Sequence, residues 1–141
     1  MNIKRLAVAG SLALAVTGSA LVFAAPASAI ISCSDYHACL HYNSDYKGAL
    51  YDQLYDTPDY TGRTFEASLG GSNGAGQQVK NNAASVDNWD QVSRVRIYYN
   101  SNYDGSYAYQ TIAKYGKANL NATMKNNNAS GKFIDYGSAA R

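Results

Sequence analysis

The sequence predicts an all-β domain in which two Greek-key motifs face each other as one β-sandwich. Three observations carry this. First, Tyr42-Asn43-Ser44-Asp45-Tyr46-Lys47-Gly48 returns as Tyr99-Asn100-Ser101-Asn102-Tyr103-Asp104-Gly105, with Tyr, Asn, Ser, Tyr and Gly unchanged. Second, each copy is followed by a shared element, Asn81-Asn82-Ala83-Ala84-Ser85 and then Asn126-Asn127-Asn128-Ala129-Ser130. Third, 13 Tyr residues lie among many Asn, Gly and Ser, with no long helical period. That composition suits short strands joined by polar turns. A repeat of this kind marks a duplicated supersecondary unit that cannot close a core alone.

The repeated hairpin has readable mechanics. Tyr98, Tyr103 and Gly105 place an aromatic, then a second aromatic, then a glycine that can take positive φ and let the chain fold back tightly. The first copy keeps Tyr46 and Gly48, with His41 in place of the leading aromatic. Tyr55, Tyr60 and Gly62 form a weaker third match, interrupted by Pro58. It reads as a loop entering the next strand or, alternatively, as the start of the first key. Alternation and turn residues place strands near 38–43, 49–55, 63–67, 77–80, 93–99, 106–112, 118–122 and 131–135. In Arg94-Val95-Arg96-Ile97, the apolar residues alternate with charged ones, as a half-buried strand requires. Gly70–Gly76 reads as a flexible surface loop, Trp89 as a core plug, and the tail from Tyr136 to Arg141 as frayed.

Residues 1–29 read as an export signal. Lys4 and Arg5 form the charged region, an apolar run extends from Leu6 to Ala25, and Ala27-Ser28-Ala29 is the small-residue cleavage site. The domain is then 30–141. Removing Lys4 and Arg5 takes Lys plus Arg from 12 to 10, against 10 Asp plus Glu, so the remaining domain is close to neutral. Such a balance gives no electrostatic footprint for nucleic acid. The domain is expected to be secreted and monomeric, with no membrane attachment after signal removal. Gly70-Gly71-Ser72-Asn73-Gly74 matches G-x-S-x-G, but both histidines, His37 and His41, precede Ser72 and no helix pattern follows it. With Glu66 the only glutamate, no acid/base pair stands out, and the chain is not expected to be an enzyme.

Cys33 and Cys39 enclose five residues, and in an exported chain they read as a structural disulfide. A loop this short constrains the unfolded chain by about 2–2.5 kcal/mol. Two alternatives compete. Ile30-Ile31-Ser32-Cys33 is similar to a lipidation box, and zinc would draw on His37 and His41 beside the cysteines.

The Asn-Asn-x-x-Ser elements resemble the calcium-binding pattern of the βγ-crystallins. That resemblance implies a possible calcium site in each half, from Asn81, Asn82, the Ala83 carbonyl and Ser85, and from Asn126, Asn127, the Asn128 carbonyl and Ser130. The sixth position departs from the pattern, with Val86 in one copy and Gly131 in the other. Neutral Asn in place of Asp implies weak binding, roughly 10⁻⁴–10⁻³ M. The alternative is that these side chains cap turns and bind nothing. No other cofactor is implied.

Together, the Cys33/Cys39 pair, Leu40 to Gly48, Val79 to Ser85 and Tyr98 to Gly105 resemble peptidase inhibitor family I36, small secreted proteins with the βγ-crystallin fold. The resemblance implies inhibition of an extracellular peptidase, a metallopeptidase first. No inhibitory residue carries over from it, and the candidate loops are 68–76 and 56–60. A further expectation is a polysaccharide- or envelope-binding surface formed by Tyr42, Tyr46, Tyr51 and Tyr55; the bland reading is that these rings pack the hairpins.

Overall fold

The computed structural model describes residues 29–135. Except for Ala29, the expected export signal lies outside the described residues, as does the Tyr136–Arg141 tail. Seven short strands follow in order: β1 Ala38–His41, β2 Leu50–Gln53, β3 Ser85–Asn88, β4 Arg94–Tyr98, β5 Tyr109–Ile112, β6 Lys117–Asn119 and β7 Ser130–Ile134. They build two antiparallel sheets, ordered β2-β1-β3-β6 and β5-β4-β7. The all-β expectation holds.

The halves are interlocked by exchange. Strand β6 belongs to the second repeat yet pairs with β3 of the first, Val86 facing Ala118. In return, Thr57 of the first repeat bridges Gly131 of β7, and the two residues trade backbone hydrogen bonds of 2.8 and 3.0 Å. Each half therefore completes its sheet with a segment of the other. Between the sheets lies one core that includes Leu40, Val86, Val95, Ile97, Ile112 and Phe133, joined by Tyr60, Phe65 and Met124 from the connections.

The hairpins repeat in detail. Asp45 and Tyr46 both have φ of 59°, and Asn102 and Tyr103 both have φ of 61°. Left-handed pairs of non-glycine residues are costly and need outside support. Support comes from the serine that opens the last strand of each half. Ser85 Oγ donates to the Asn43 carbonyl at 2.7 Å and accepts the Tyr46 N–H at 3.1 Å. Ser130 Oγ does the same with the Asn100 carbonyl at 2.7 Å and the Tyr103 N–H at 3.1 Å. The leading ring of each hairpin meets the second one, His41 with Tyr46 at 6.1 Å and Tyr98 with Tyr103 at 6.0 Å. Gly48 takes the expected positive φ, 78°, whereas Gly105 does not, so only the first hairpin uses the glycine that way.

Several expectations are corrected. The segments 63–67 and 77–80 are not strands; they touch the fold through isolated bridges, Leu50 with Glu66 and Thr64 with Gln78. Positive-φ glycines at 71, 74 and 76 occupy the connection between the two segments. Strand β3, at the middle of its sheet, was not expected at all. Trp89 is not a core plug: it is 36% exposed just beyond β3. Cys33 and Cys39 form the expected disulfide, with an S–S distance of 2.08 Å. Both sulfurs are thereby engaged, which leaves no thiolate for zinc or for a lipid. His37 instead pairs with Asp52 at 2.8 Å.

Candidate functional site

The two Asn-Asn elements lie against each other as a clasp. Asn81 and Asn126 are both left-handed, with φ of 63° and 59°. The Asn81 N–H donates to the Asn128 carbonyl at 2.8 Å, and the Asn126 N–H donates to the Ala83 carbonyl at 2.9 Å. Asn82 Nδ2 donates back to the carbonyls of Gln78 and Lys80, and Asn127 Nδ2 to those of Thr123 and Lys125. The Asn128 side chain is fully buried, accepting the Ala83 N–H and donating to the Val79 carbonyl, both at 2.9 Å. All eight residues expected to hold calcium are thus brought to one region. There the carbonyls of Ala83 and Asn128 face N–H donors, and the hydroxyls of Ser85 and Ser130 face the hairpins.

A lysine precedes each Asn-Asn pair and reaches across to the other half's hairpin. Lys80 Nζ contacts Ser101 Oγ at 3.0 Å, Thr61 Oγ1 at 3.2 Å and Asp59 at 3.0 Å. Lys125 Nζ contacts Ser44 Oγ at 2.9 Å. Hydrogen bonding from the Thr61 backbone, followed by that from Lys80, lowers the Asp59 pKa to about 2. Lys125 also lines a polar cleft of about 170 Å³ with Asn43, Ser44, Asn82 and Asn126. Calcium needs six to eight oxygens. Here the Ala83 and Asn128 carbonyls each accept one backbone N–H, and the Ser85 and Ser130 hydroxyls are bonded to the hairpins. The signal for these lysines was in the chain, since Lys-Asn-Asn, not merely Asn-Asn, is what repeats.

The glycine-rich loop is exposed, but it is pinned rather than flexible. Gly48 N–H donates to the Gly70 carbonyl and Ala49 N–H to the Asn73 carbonyl, both at 2.9 Å. Ser68 Oγ donates to the Gly48 carbonyl at 2.7 Å, and Asn43 Nδ2 to Asn73 Oδ1 at 2.9 Å. Gly74 has φ of 89° and lies under the Tyr42 ring, where an added Cβ would come within 2.1 Å of Cγ. On this held backbone Leu69 is 83% exposed. The 56–60 segment is different: Thr57 and Tyr60 are buried, and the Pro58 carbonyl accepts the Asn102 N–H at 2.6 Å. Between those two buried residues, Pro58 is exposed and Asp59 half-buried.

The four tyrosines do not form one platform. Tyr42 meets Phe65 at 5.6 Å and Tyr51 meets Tyr60 at 5.9 Å, while Tyr46 lies against His41. Of the four, Tyr55 alone is well exposed, at 58%.

Two sheets, exchanged third segments and serine-clamped hairpins define a βγ-crystallin-type double Greek key. The chain is similar to a solved structure described under the evolution of the eye lens βγ-crystallin domain fold. The TM-score is 0.58 at 8% identity, covering 78% of this chain and 97% of that one. Residues 54–110 match the model of peptidase inhibitor family I36, so the family resemblance read from the sequence is shown. A match to a family of inhibitors also agrees with the expectation that the chain is not an enzyme. No curated protein matches it in sequence. Among the described residues, no helix is long and apolar enough to cross a membrane.

Proposed function

We propose that the chain is a secreted inhibitor of an extracellular peptidase, a metallopeptidase first, and that it presents the 68–76 loop with Leu69 as the anchoring side chain. The observation that carries this is the family match over 54–110, which includes that loop. A loop already held by backbone hydrogen bonds loses little further freedom on docking. An apolar side chain standing out from it suits a hydrophobic specificity pocket. Titrating residues 30–141 against a thermolysin-like and a subtilisin-like peptidase tests the reading. Saturable inhibition of one class is expected, with the chain left intact. Leu69→Ala should weaken it at least tenfold, about 1.4 kcal/mol, at an unchanged melting temperature. Equal inhibition by the variant would move the contact elsewhere, and no inhibition by the folded protein would leave only the scaffold.

We further infer that the fold does not depend on calcium, because Lys80 and Lys125 supply positive charge at the clasp from within the chain. Melting in excess calcium and in chelator should agree within about 1 °C, since an ion that does not bind the native state cannot stabilise it. A rise of several degrees with calcium would show that the lysines yield to the ion.

A further inference from the structure

The N-terminal disulfide lies among other side chains able to bind a metal. Cys39 of β1 is flanked in the sheet by Asp52 of β2 and Asp87 of β3. Asp87 is taken up by Lys117 at 2.7 Å. Asp52 turns to the cysteine instead: its Oδ1 stands 3.2 Å from Cys39 Sγ and 2.8 Å from His37 Nδ1. A sulfur in a disulfide has no proton to give, so no hydrogen bond draws the carboxylate to it. Ser34 Oγ donates to the other oxygen, Oδ2, at 2.7 Å, and an outer partner of this kind fixes how a ligating carboxylate is oriented. Cys33 Sγ, Cys39 Sγ and an Asp52 oxygen all fall within 4.8 Å of one another. Among the described residues, no other three His, Cys, Asp or Glu side chains converge this closely.

We propose that Cys33, His37, Cys39 and Asp52 hold one zinc ion whenever the disulfide is open, bridge and ion being alternative ties for the N-terminal segment. A thiol reductant opens the bond by exchange, ending as its own disulfide and leaving Cys33 and Cys39 as two thiols. Zinc then replaces the two thiol protons, and the ion takes the place of the hydrogen bond between His37 Nδ1 and Asp52 Oδ1, with the imidazole proton on Nε2. Thiolate and imidazole ligands select zinc over calcium or magnesium. A tetrahedral zinc site has ligand atoms about 3.3–3.8 Å apart, and the separations at Asp52 Oδ1 lie within about 0.5 Å of that range. The segment does not rely on the bridge for its place. Ile31 N–H donates to the Ala67 carbonyl at 2.9 Å, Leu69 N–H to that of Ile31 at 3.2 Å, and Trp89 N–H to that of His37 at 2.9 Å. Cys33 is thus held from both sides when the bond opens. The His37 and Asp52 side chains are 19% and 20% exposed, which leaves an ion a way in.

The test is a titration of the 30–141 protein with Co²⁺ and then Zn²⁺, before and after reduction by a phosphine, which brings no competing thiol and leaves as its oxide with an oxygen from water. The reduced protein should take up one Co²⁺, with thiolate-to-cobalt charge-transfer bands and tetrahedral d–d bands, and one equivalent of Zn²⁺ should bleach them. The bridged protein should show neither. His37→Ala and Asp52→Asn, with both cysteines retained, should each weaken zinc binding at least tenfold. Zinc should also raise the melting temperature of the reduced protein and leave that of the bridged protein unchanged, as binding to one form alone requires. No stoichiometric uptake by the reduced protein would overturn the proposal. So would unaltered affinity in both variants, which would leave a thiolate pair binding metal by itself. A reduced chain that loses its fold and does not regain it with zinc would overturn it too.

Discussion

Replacing Gly131 with alanine should lower the melting temperature by about 10 °C or more, equivalent to about 3 kcal/mol for a domain of this size. Gly131 sits in β7 where the two halves exchange strands. A Cβ added there would meet the Tyr60 hydroxyl at 1.9 Å and Gln53 Oε1 at 2.8 Å. Neither neighbour can move aside cheaply. The Tyr60 hydroxyl donates to Gln53 Oε1 at 2.6 Å, Gln53 Nε2 donates to the Gly131 carbonyl at 3.1 Å, and all three residues are buried. Burial pushes the Tyr60 phenol well above its ordinary pKa, so it remains a donor. Shifting the tyrosine would strand polar groups of both partners, a penalty added to the overpacking. The check is thermal or urea unfolding of Gly131→Ala beside Gly105→Ala. Gly105, like Gly131, lies outside the positive-φ region, and an added Cβ there comes no closer than 3.3 Å to a neighbour, the Tyr109 ring, so it reports the backbone change without the clash. Equal losses in the two variants would show that the packed hydroxyl is not the cause.

Acid should weaken the fold through His41. Burial is the largest cause lowering its pKa from 6.5 to about 4; the Asp87 carboxylate on β3 opposes that shift and Lys117 on β6 adds to it. The Tyr46 ring of the first hairpin packs against the imidazole as well. The folded state therefore binds a proton less readily than the unfolded chain. Stability is full above pH 6.5, falls as the pH drops towards 4, and loses nothing more from this group below that. Between pH 7.5 and 4.5 the loss assigned to His41 is about 2.5 kcal/mol. His41→Phe, which keeps an aromatic at the position Tyr98 holds in the other half, should remove that part of the pH dependence. Urea unfolding of both proteins at the two pH values decides it. Parallel losses would place the acid sensitivity in other groups.

The parts of the fold legible in sequence were those where one residue type has one job. The hairpin repeat was visible because a left-handed pair, a covering ring and a clamping serine restrict what each position can be. Strand β3 was not visible, because Ser85-Val86-Asp87-Asn88 contains a single large apolar residue and is buried on both faces. Its polar side chains are satisfied one at a time, Ser85 by the hairpin, Asp87 by Lys117 and Asn88 by the Ser93 and Ala113 carbonyls. Such a strand carries no alternation to detect. Trp89 misled for a related reason: its size suggests the core, but its place just past β3 sets it beside the Lys117 ammonium on the outer face. At the clasp, oxygen-bearing residues at the right spacing suggested a metal. Whether their lone pairs remain available depends on contacts between residues some 45 positions apart that no local pattern records.

The exchange of segments between the sheets bears on what a backbone cut in the 68–76 loop would do. A break anywhere in 68–76 falls between Thr57, which is laced into one sheet, and β3, which is laced into the other. The new ends would not drift apart. Ser68 stays tied to the Gly48 carbonyl and Gly76 N–H to the Phe65 carbonyl at 2.8 Å. A nicked chain would persist as two pieces held together by the shared sheets, with both cut ends kept close to where they were joined.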